Sequence, residues 1–310
     1  MSAIAAILFP IFAVILCGYA AGRFGVLGRG GAESLNTFVY YFALPPLLFQ
    51  LTAQAGVREI LNWPFLFAFL GGVLVTLAAA LAGGYLLFGR RGLALCFHGF
   101  AAVFGNTAYM GVPLFVAAFG PRGALPAIVA TVASNLLLIG GAVAAAELDR
   151  SPVRALRNAA LAVLRNPLLL APLLGILVSH LGVTPPKPAA ALLDLMAAAA
   201  VPAALFAIGL SLAEQPLDSG AGEVGWLCAL KLVVQPAATW VLATAVFAPD
   251  PLWAKAAVLL AGMPVGALVF VITRRYGTYY QRASASVVVS TLLSMFSLAA
   301  WLALLGATRP

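Results

Sequence analysis

The sequence is poor in charge, in histidine and in cysteine. Asp, Glu, Lys and Arg make up 8% of its 310 residues while 64% are hydrophobic. A soluble domain carries roughly 25% charged residues. No aqueous fold hides that much apolar side chain, so lipid is the expected solvent. Cys17, Cys96 and Cys228 fall inside apolar runs, with no CxxC pair and no histidine at ligand spacing. That excludes a disulfide framework and a thiolate metal site, and leaves packing residues. No HExxH, no carboxylate pair within a span and no Ser/His arrangement at usable spacing is present, so an intramembrane enzyme is disfavoured and no cofactor is implied. Glu147, Asp149, Asp194, Glu214, Asp218, Glu223 and Asp250 sit near the ends of apolar runs or between them. An antiporter working through a carboxylate at mid-membrane is therefore not expected. The net charge of +8 does not point to nucleic acid, because Lys and Arg stand singly or in pairs between apolar runs.

What is present is a series of ten apolar runs, at 3–22, 35–53, 63–88, 93–119, 124–146, 166–182, 189–212, 224–246, 253–273 and 283–305. Each approaches the length of a membrane-spanning helix. The first lacks a basic n-region and reads as a span, not as a signal peptide. The connections alternate in basic content. One set holds Arg23, Arg29, Arg90, Arg91, Arg150, Arg154, Arg157, Arg165, Arg274, Arg275 and Arg282; the other, with the termini, holds only Arg58, Arg122, Lys187, Lys255 and Arg309. The richer set should be cytoplasmic and both termini external, in a cytoplasmic (inner) membrane.

Shifting the chain by 157 residues superposes Pro10 on Pro167, Gly18 on Gly175, Gly25 on Gly182, and Gly105 and Gly120 on Gly262 and Gly277. The same register brings Ala43, Pro45, Leu48 and Phe49 onto Ala200, Pro202, Leu205 and Phe206. The expected fold is all-α: two five-helix repeats, 1–148 and 166–310, joined by a cytoplasmic link at 149–165. Five is odd, so the second repeat enters the membrane inverted, a plan used by secondary carriers with a site at the midplane.

The fourth run contains Phe104-Gly105-Asn106-Thr107-Ala108-Tyr109-Met110-Gly111-Val112-Pro113, and the ninth contains Ala261-Gly262-Met263-Pro264-Val265-Gly266. Proline removes a backbone donor and glycine weakens a helix, so both stretches should unwind. Broken backbone survives at that depth only where it is buried in protein or lines a cavity. If Pro113 and Pro264 open the second half-helices, two positive helix ends meet and favour an anion, with Asn106 adding a neutral donor. Lys231, inside the eighth run, has three readings: a substrate charge, a proton relay, or a side chain snorkelling to the interface. His98 is read as packing or as a further titrating group. Asn135 either faces the same cavity or bonds a neighbouring helix, and Ser286, Ser290 and Ser294 form a close-packing face.

These blocks resemble the auxin efflux carrier family, which includes plant PIN-FORMED carriers and bacterial malate and malonate carriers. The likeness runs from Leu35-Asn36-Thr37-Phe38-Val39-Tyr40-Tyr41-Phe42-Ala43-Leu44-Pro45 through Gly105-Asn106-Thr107 and Gly111-Val112-Pro113. It continues through Asn166-Pro167, Pro202, Leu205-Phe206, Ser211-Leu212, Lys231 with Pro236, and Met263-Pro264 to Tyr276-Gly277. The resemblance implies a bile-acid-symporter-like fold with crossed, discontinuous fourth and ninth helices. Spans 1, 2, 6 and 7 would form a scaffold, and spans 3–5 and 8–10 a moving transport domain. It implies that Asn106 touches a substrate carboxylate, among Gly105, Thr107, Met110, Asn135, Gly262 and Met263, with Gly111, Pro113, Pro264 and Gly266 at the crossing. It further implies a homodimer in membrane lipid and elevator-type transport of a small organic anion. The short link, about residues 147 to 165, departs from the plant carriers, whose large cytoplasmic loop has no counterpart here. A sodium-coupled importer of the same fold and a channel are the alternative functions.

Overall fold

A computed structural model describes residues 2–28, 30–55, 60–147, 152–214 and 220–306. Arg29, Arg58, Asp149, Arg150, Asp218 and Arg309, which enter the loop-charge comparison and the acidic inventory, lie outside them, as does the side chain of Arg122. The described residues are helical, without a named strand. In chain order the elements are α1 (Ser2–Arg23), α2 (31–53), α3 (Trp63–Leu86), α4 (Gly92–Val103), α5 (Thr107–Gly120) and α6 (Leu125–Glu147). They continue as α7 (Pro152–Leu164), α8 (Pro167–Leu181), α9 (Lys187–Glu214), α10 (Ala221–Val246), α11 (Pro251–Ala261), α12 (Leu268–Arg275) and α13 (Tyr280–Leu304).

Among the described residues six helices, α1, α3, α6, α9, α10 and α13, are long and apolar enough to cross a bilayer. A seventh results if α7 and α8, bent by 62°, are taken as one. The protein is a multi-pass membrane protein. The ten runs seen in the sequence are met at full length by only six of these. Run two carries Asn36 and Gln50, runs four and nine are broken, and α8 is short.

Local chemistry sets the boundaries. Asn62, Asn166 and Asp250 cap α3, α8 and α11, accepting from the amides of Phe65, Leu168 and Leu252 at 2.9–3.0 Å, each with a proline in the first turn. Three widened π turns, at Val39–Ala43, Thr107–Gly111 and Leu230–Val234, precede Pro45, Pro113 and Pro236. A proline ring collides with the carbonyl four residues back, and those carbonyls, on Tyr41, Tyr109 and Leu232, all lie in the widened turns. Pro113 therefore does not open a half-helix as expected from sequence; the π turn absorbs it, and the helix starts at Thr107. Pro236 leaves the carbonyl of Leu232 without its usual donor, and the Trp301 indole N–H supplies one at 3.0 Å.

The closest helix packing pairs α1 with α9 and α8 with α2. A Cβ on Gly18 would fall 2.1 Å from the carbonyl oxygen of Phe206, and one on Gly175 would fall 2.4 Å from that of Phe49. Residues 18 and 175, and 49 and 206, are both 157 apart, so the two contacts are the same contact made twice. Two of the cysteines expected in the packing, Cys17 and Cys96, are exposed on the outer surface, and only Cys228 is buried. In a membrane-embedded helix the outward face is also apolar, so composition does not separate it from the core.

Candidate functional site

The two broken helices meet back to back. Gly105 and Val265 form an isolated antiparallel bridge: the amide of Asn106 donates to Pro264 O at 2.8 Å and that of Gly266 to Phe104 O at 2.9 Å. Gly266 is required by space, since a Cβ there would lie 2.8 Å from the Phe104 ring. Val265 N, which no helix turn satisfies, donates to Ser290 Oγ at 3.0 Å. The serine ladder on α13, expected to be packing alone, thus closes one end of the broken backbone; Ser286 and Ser294 bond their own helix.

Thr107–Gly111 starts directly after the bridge. Asn106 O accepts from the amides of Met110 and Gly111, leaving those of Thr107, Ala108 and Tyr109 with no preceding turn. The Asn106 side chain makes no cap and has no hydrogen-bond partner among the described residues. It lines a narrow cavity with Asn36, Tyr109, Ile208, Ser211, Leu212, Ala267, Val287 and Thr291. The cavity's free volume, about 10 Å³, is room for a single water. Its walls come from α2 and α9 on one side and from α5, α13 and the second break on the other. Asn36 Nδ2 donates to Ser211 Oγ at 2.9 Å, and Tyr109 Oη to Asn36 O at 3.3 Å. Asn36, Ser211, Tyr109 and Thr291 were not read as site residues. Their signal was present in Asn36 and Ser211, polar side chains within apolar runs.

Lys231 is wholly buried, which removes the snorkelling reading. Its Nζ donates to Gln235 Oε1 at 2.8 Å and to Ala261 O, at the broken end of α11, at 2.5 Å. A Cβ on Gly105 would lie 3.1 Å from that nitrogen, so the Lys231 amino group stands directly behind the bridge. No carboxylate pairs with it among the described residues. Thr107 accepts from Thr131 Oγ1 at 2.9 Å, fixing α6 against the break. Asn135, one turn further along α6, is buried with Nδ2 unpartnered, but it does not line the cavity. Met110 and Met263 are fully buried; neither they nor Gly105, Gly111 and Gly262 line the cavity. They shape the crossing and do not reach the open space.

His98 belongs to a different cluster. Its Nδ1 lies 3.0 Å from Glu223 Oε1 and 2.8 Å from Tyr279 Oη. Glu223 also accepts from Arg90 Nη2 at 2.5 Å, Arg282 Nε at 2.9 Å and Tyr279 Oη at 2.7 Å. Burial, and next the Glu223 charge, hold the Tyr279 hydroxyl protonated well above its ordinary range. Glu223 does sit at a helix end, as the sequence indicated, but it is buried under two guanidinium groups. The cluster ties α4, α10 and α13 together, away from the cavity.

The chain matches, over residues 3–302, the family described as "Membrane transport protein". It is 33% identical over 304 residues, covering 95% of this chain and 93% of the relative, to a protein of Rhizobium meliloti (strain 1021) named "Putative malonate transporter". It is 27% identical over 297 residues to an "Uncharacterized transporter" of Methanothermobacter thermautotrophicus, covering 94% and 95% of the two chains. To the "Uncharacterized transporter YfdV" of Escherichia coli (strain K12) it is 26% identical over 311 residues, covering 95% of each. These relatives carry the names of transporters and not of enzymes. The chain therefore belongs to the membrane transport protein family, in agreement with the auxin-efflux-carrier resemblance of its motifs.

Proposed function

We propose that the protein carries a small carboxylate across the cytoplasmic membrane by alternating access, with the anion held at Asn106 and Lys231 acting as a counter-charge from behind the bridge. The observation that carries this reading is the unpaired Asn106 amide, set at the bridge of two broken helices with the buried Lys231 amino group, which no described carboxylate pairs, behind it. Unbonded amides at the start of α5 add partial positive charge to the same point. A dicarboxylate such as the malonate in one relative's name is a natural occupant, since a dianion gains more than a monoanion from a counter-charge and from a helix N-terminus.

The architecture we infer is the inverted ten-helix repeat. Displacing Trp63–Leu86 by 157 residues gives 220–243, beside Ala221–Val246; Gly92–Val103 gives 249–260, beside Pro251–Ala261; Leu125–Glu147 gives 282–304, beside Tyr280–Leu304. The twice-made glycine contact supports the same two-fold relation. A cavity with room for one water cannot admit a carboxylate, so the body bearing the crossing has to move against α1, α2, α8 and α9. The moving body would hold α3–α6 and α10–α13. The Glu223 cluster supports that division, because all its members lie within it. The distribution of basic residues supports both termini lying outside.

The test is malonate binding and counterflow with purified protein in vesicles, for the parent, Asn106→Ala and Asn106→Asp. Losing a donor to a desolvated carboxylate costs about 1.5–3 kcal/mol, roughly ten- to a hundredfold in affinity. Asn106→Asp should lose more, because an ionised side chain there repels the anion. Parental affinity and counterflow in Asn106→Ala, at equal thermal stability, would remove Asn106 from the site.

A further inference from the structure

The link between the two repeats is a helix with three distinct faces. Ala155, Ala159 and Val163 of α7 are buried, and Val163 lies against Gly140 of α6. At 100° per residue, Val153, Leu156, Ala160 and Leu164 form the adjoining face. Val153 is 78%, Leu156 74% and Leu164 61% exposed. Beyond them, the third face carries Arg154, Arg157 and, just past the helix end, Arg165, with Leu161 among them. The apolar face continues into the outward leucines of α8, Leu170, Leu173 and Leu174, which are exposed where lipid tails would stand.

A helix buried on one side, apolar on the next and basic on the third is not built for water. Nor is it long enough to cross the membrane by itself: it is 13 residues long and meets α8 at 62°. The turn between them is pinned, because Asn166 Oδ1 caps α8 and also accepts from Tyr40 Oη of α2 at 3.1 Å. This combination suits the boundary between acyl chains and headgroups, where apolar residues enter the tails and guanidinium groups face phosphate.

We propose that α7 is an interfacial helix that binds anionic phospholipid on the cytoplasmic leaflet, seating Leu156 and Leu164 among acyl chains and holding headgroup phosphates with Arg157 and Arg165. Charge complementarity selects the occupant. Arginine forms paired hydrogen bonds with phosphate oxygens, and the cytoplasmic leaflet is the anionic one. The inference requires the link to be cytoplasmic and does not depend on which anion is carried.

The test uses full-length protein in which Cys17, Cys96 and Cys228 are replaced and one cysteine is placed at Leu156 to carry an environment-sensitive fluorophore. The protein is reconstituted in phosphatidylcholine vesicles with or without phosphatidylglycerol. The fluorophore should emit as in an apolar medium and be quenched by lipids brominated on the acyl chain. Native mass spectrometry of protein extracted from mixed vesicles should show retained phosphatidylglycerol several-fold above its bulk share. Arg157→Gln with Arg165→Gln should return that share to the bulk value at unchanged thermal stability. Water-like emission at 156, or retention identical in the double variant, overturns the proposal. So does displacement of the lipid by soluble glycerol phosphate at equal concentration, which would mark a site for free phosphate. Malonate counterflow in the same vesicles reads the transport proposal separately.

Discussion

Replacing Lys231 by methionine separates an electrostatic role from a packing role at the crossing. Methionine has nearly the length of lysine and no charge, and removing an unpaired buried amino group relieves its desolvation cost. Against that relief, two buried acceptors, Ala261 O and Gln235 Oε1, lose a donor at about 1–3 kcal/mol each, whereas the Gln235 Nε2 that now lacks a partner is unaffected. Thermal stability should therefore change little. Affinity should change a great deal. The Lys231 nitrogen sits 3.1 Å from where a Gly105 Cβ would be, and Asn106 is the next residue. Successive side chains of extended backbone point to opposite faces, so a carboxylate at Asn106 lies about 10 Å from that nitrogen; at an effective dielectric constant of about 20 the attraction is about 1.7 kcal/mol. That is roughly ten- to twentyfold in affinity. The decisive feature is charge dependence: a dicarboxylate dianion should lose several-fold more affinity than a monocarboxylate of similar size. The assay is equilibrium binding of malonate and acetate to parent and Lys231→Met protein in one detergent, with melting temperatures in parallel. Equal losses for the two ligands refute the counter-charge reasoning and leave Lys231 as a structural residue of the bridge.

The remaining predictions address the frame around the site. Gly266→Ala forces a methyl group to 2.8 Å from the Phe104 ring and should abolish counterflow while the protein still inserts and purifies, read by vesicle transport at matched yield. Gly209→Ala drives a Cβ to 1.9 Å from Ile15 O, so the α1–α9 pair must separate; overpacking of this kind costs about 1–3 kcal/mol and should lower the melting temperature by several degrees. Glu223→Gln removes the one carboxylate shared by Arg90, Arg282 and His98. The arginine side chains are 30% and 29% exposed, so the loss should be about 2 kcal/mol, below the 3–5 seen when a fully buried pair is broken. A thermal melt checks it, and a value near zero would mean that water solvates both guanidinium groups. A reporter active only in the cytoplasm, fused after residue 310, should stay silent if the C-terminus is external.

Much of this protein was determined by composition and by where helix-breaking residues stand. Scarcity of charge made lipid the solvent, and Gly105, Pro113, Gly262 and Pro264 marked two unwound stretches, because backbone preferences are local and act wherever the chain is. Asn106 stood out for the same reason, as an amide beside a break in an apolar run. What only the tertiary structure decided concerns partners far apart in sequence. Pro113 proved compatible with a continuous helix because a π turn could widen before it, whereas Pro264 lies within a true gap whose carbonyl accepts from Asn106. Lys231 could equally have reached the interface until the packing of α10 against α11 gave its ammonium the Ala261 carbonyl. In sequence Glu223 stands only near the end of an apolar run; Arg90 and Arg282, more than fifty residues away on either side, close over it in the fold. The cavity wall joins Asn36 to Ser211 and Thr291, residues that share no local pattern, because a cavity depends on which helix faces meet and not on the order in which they are written.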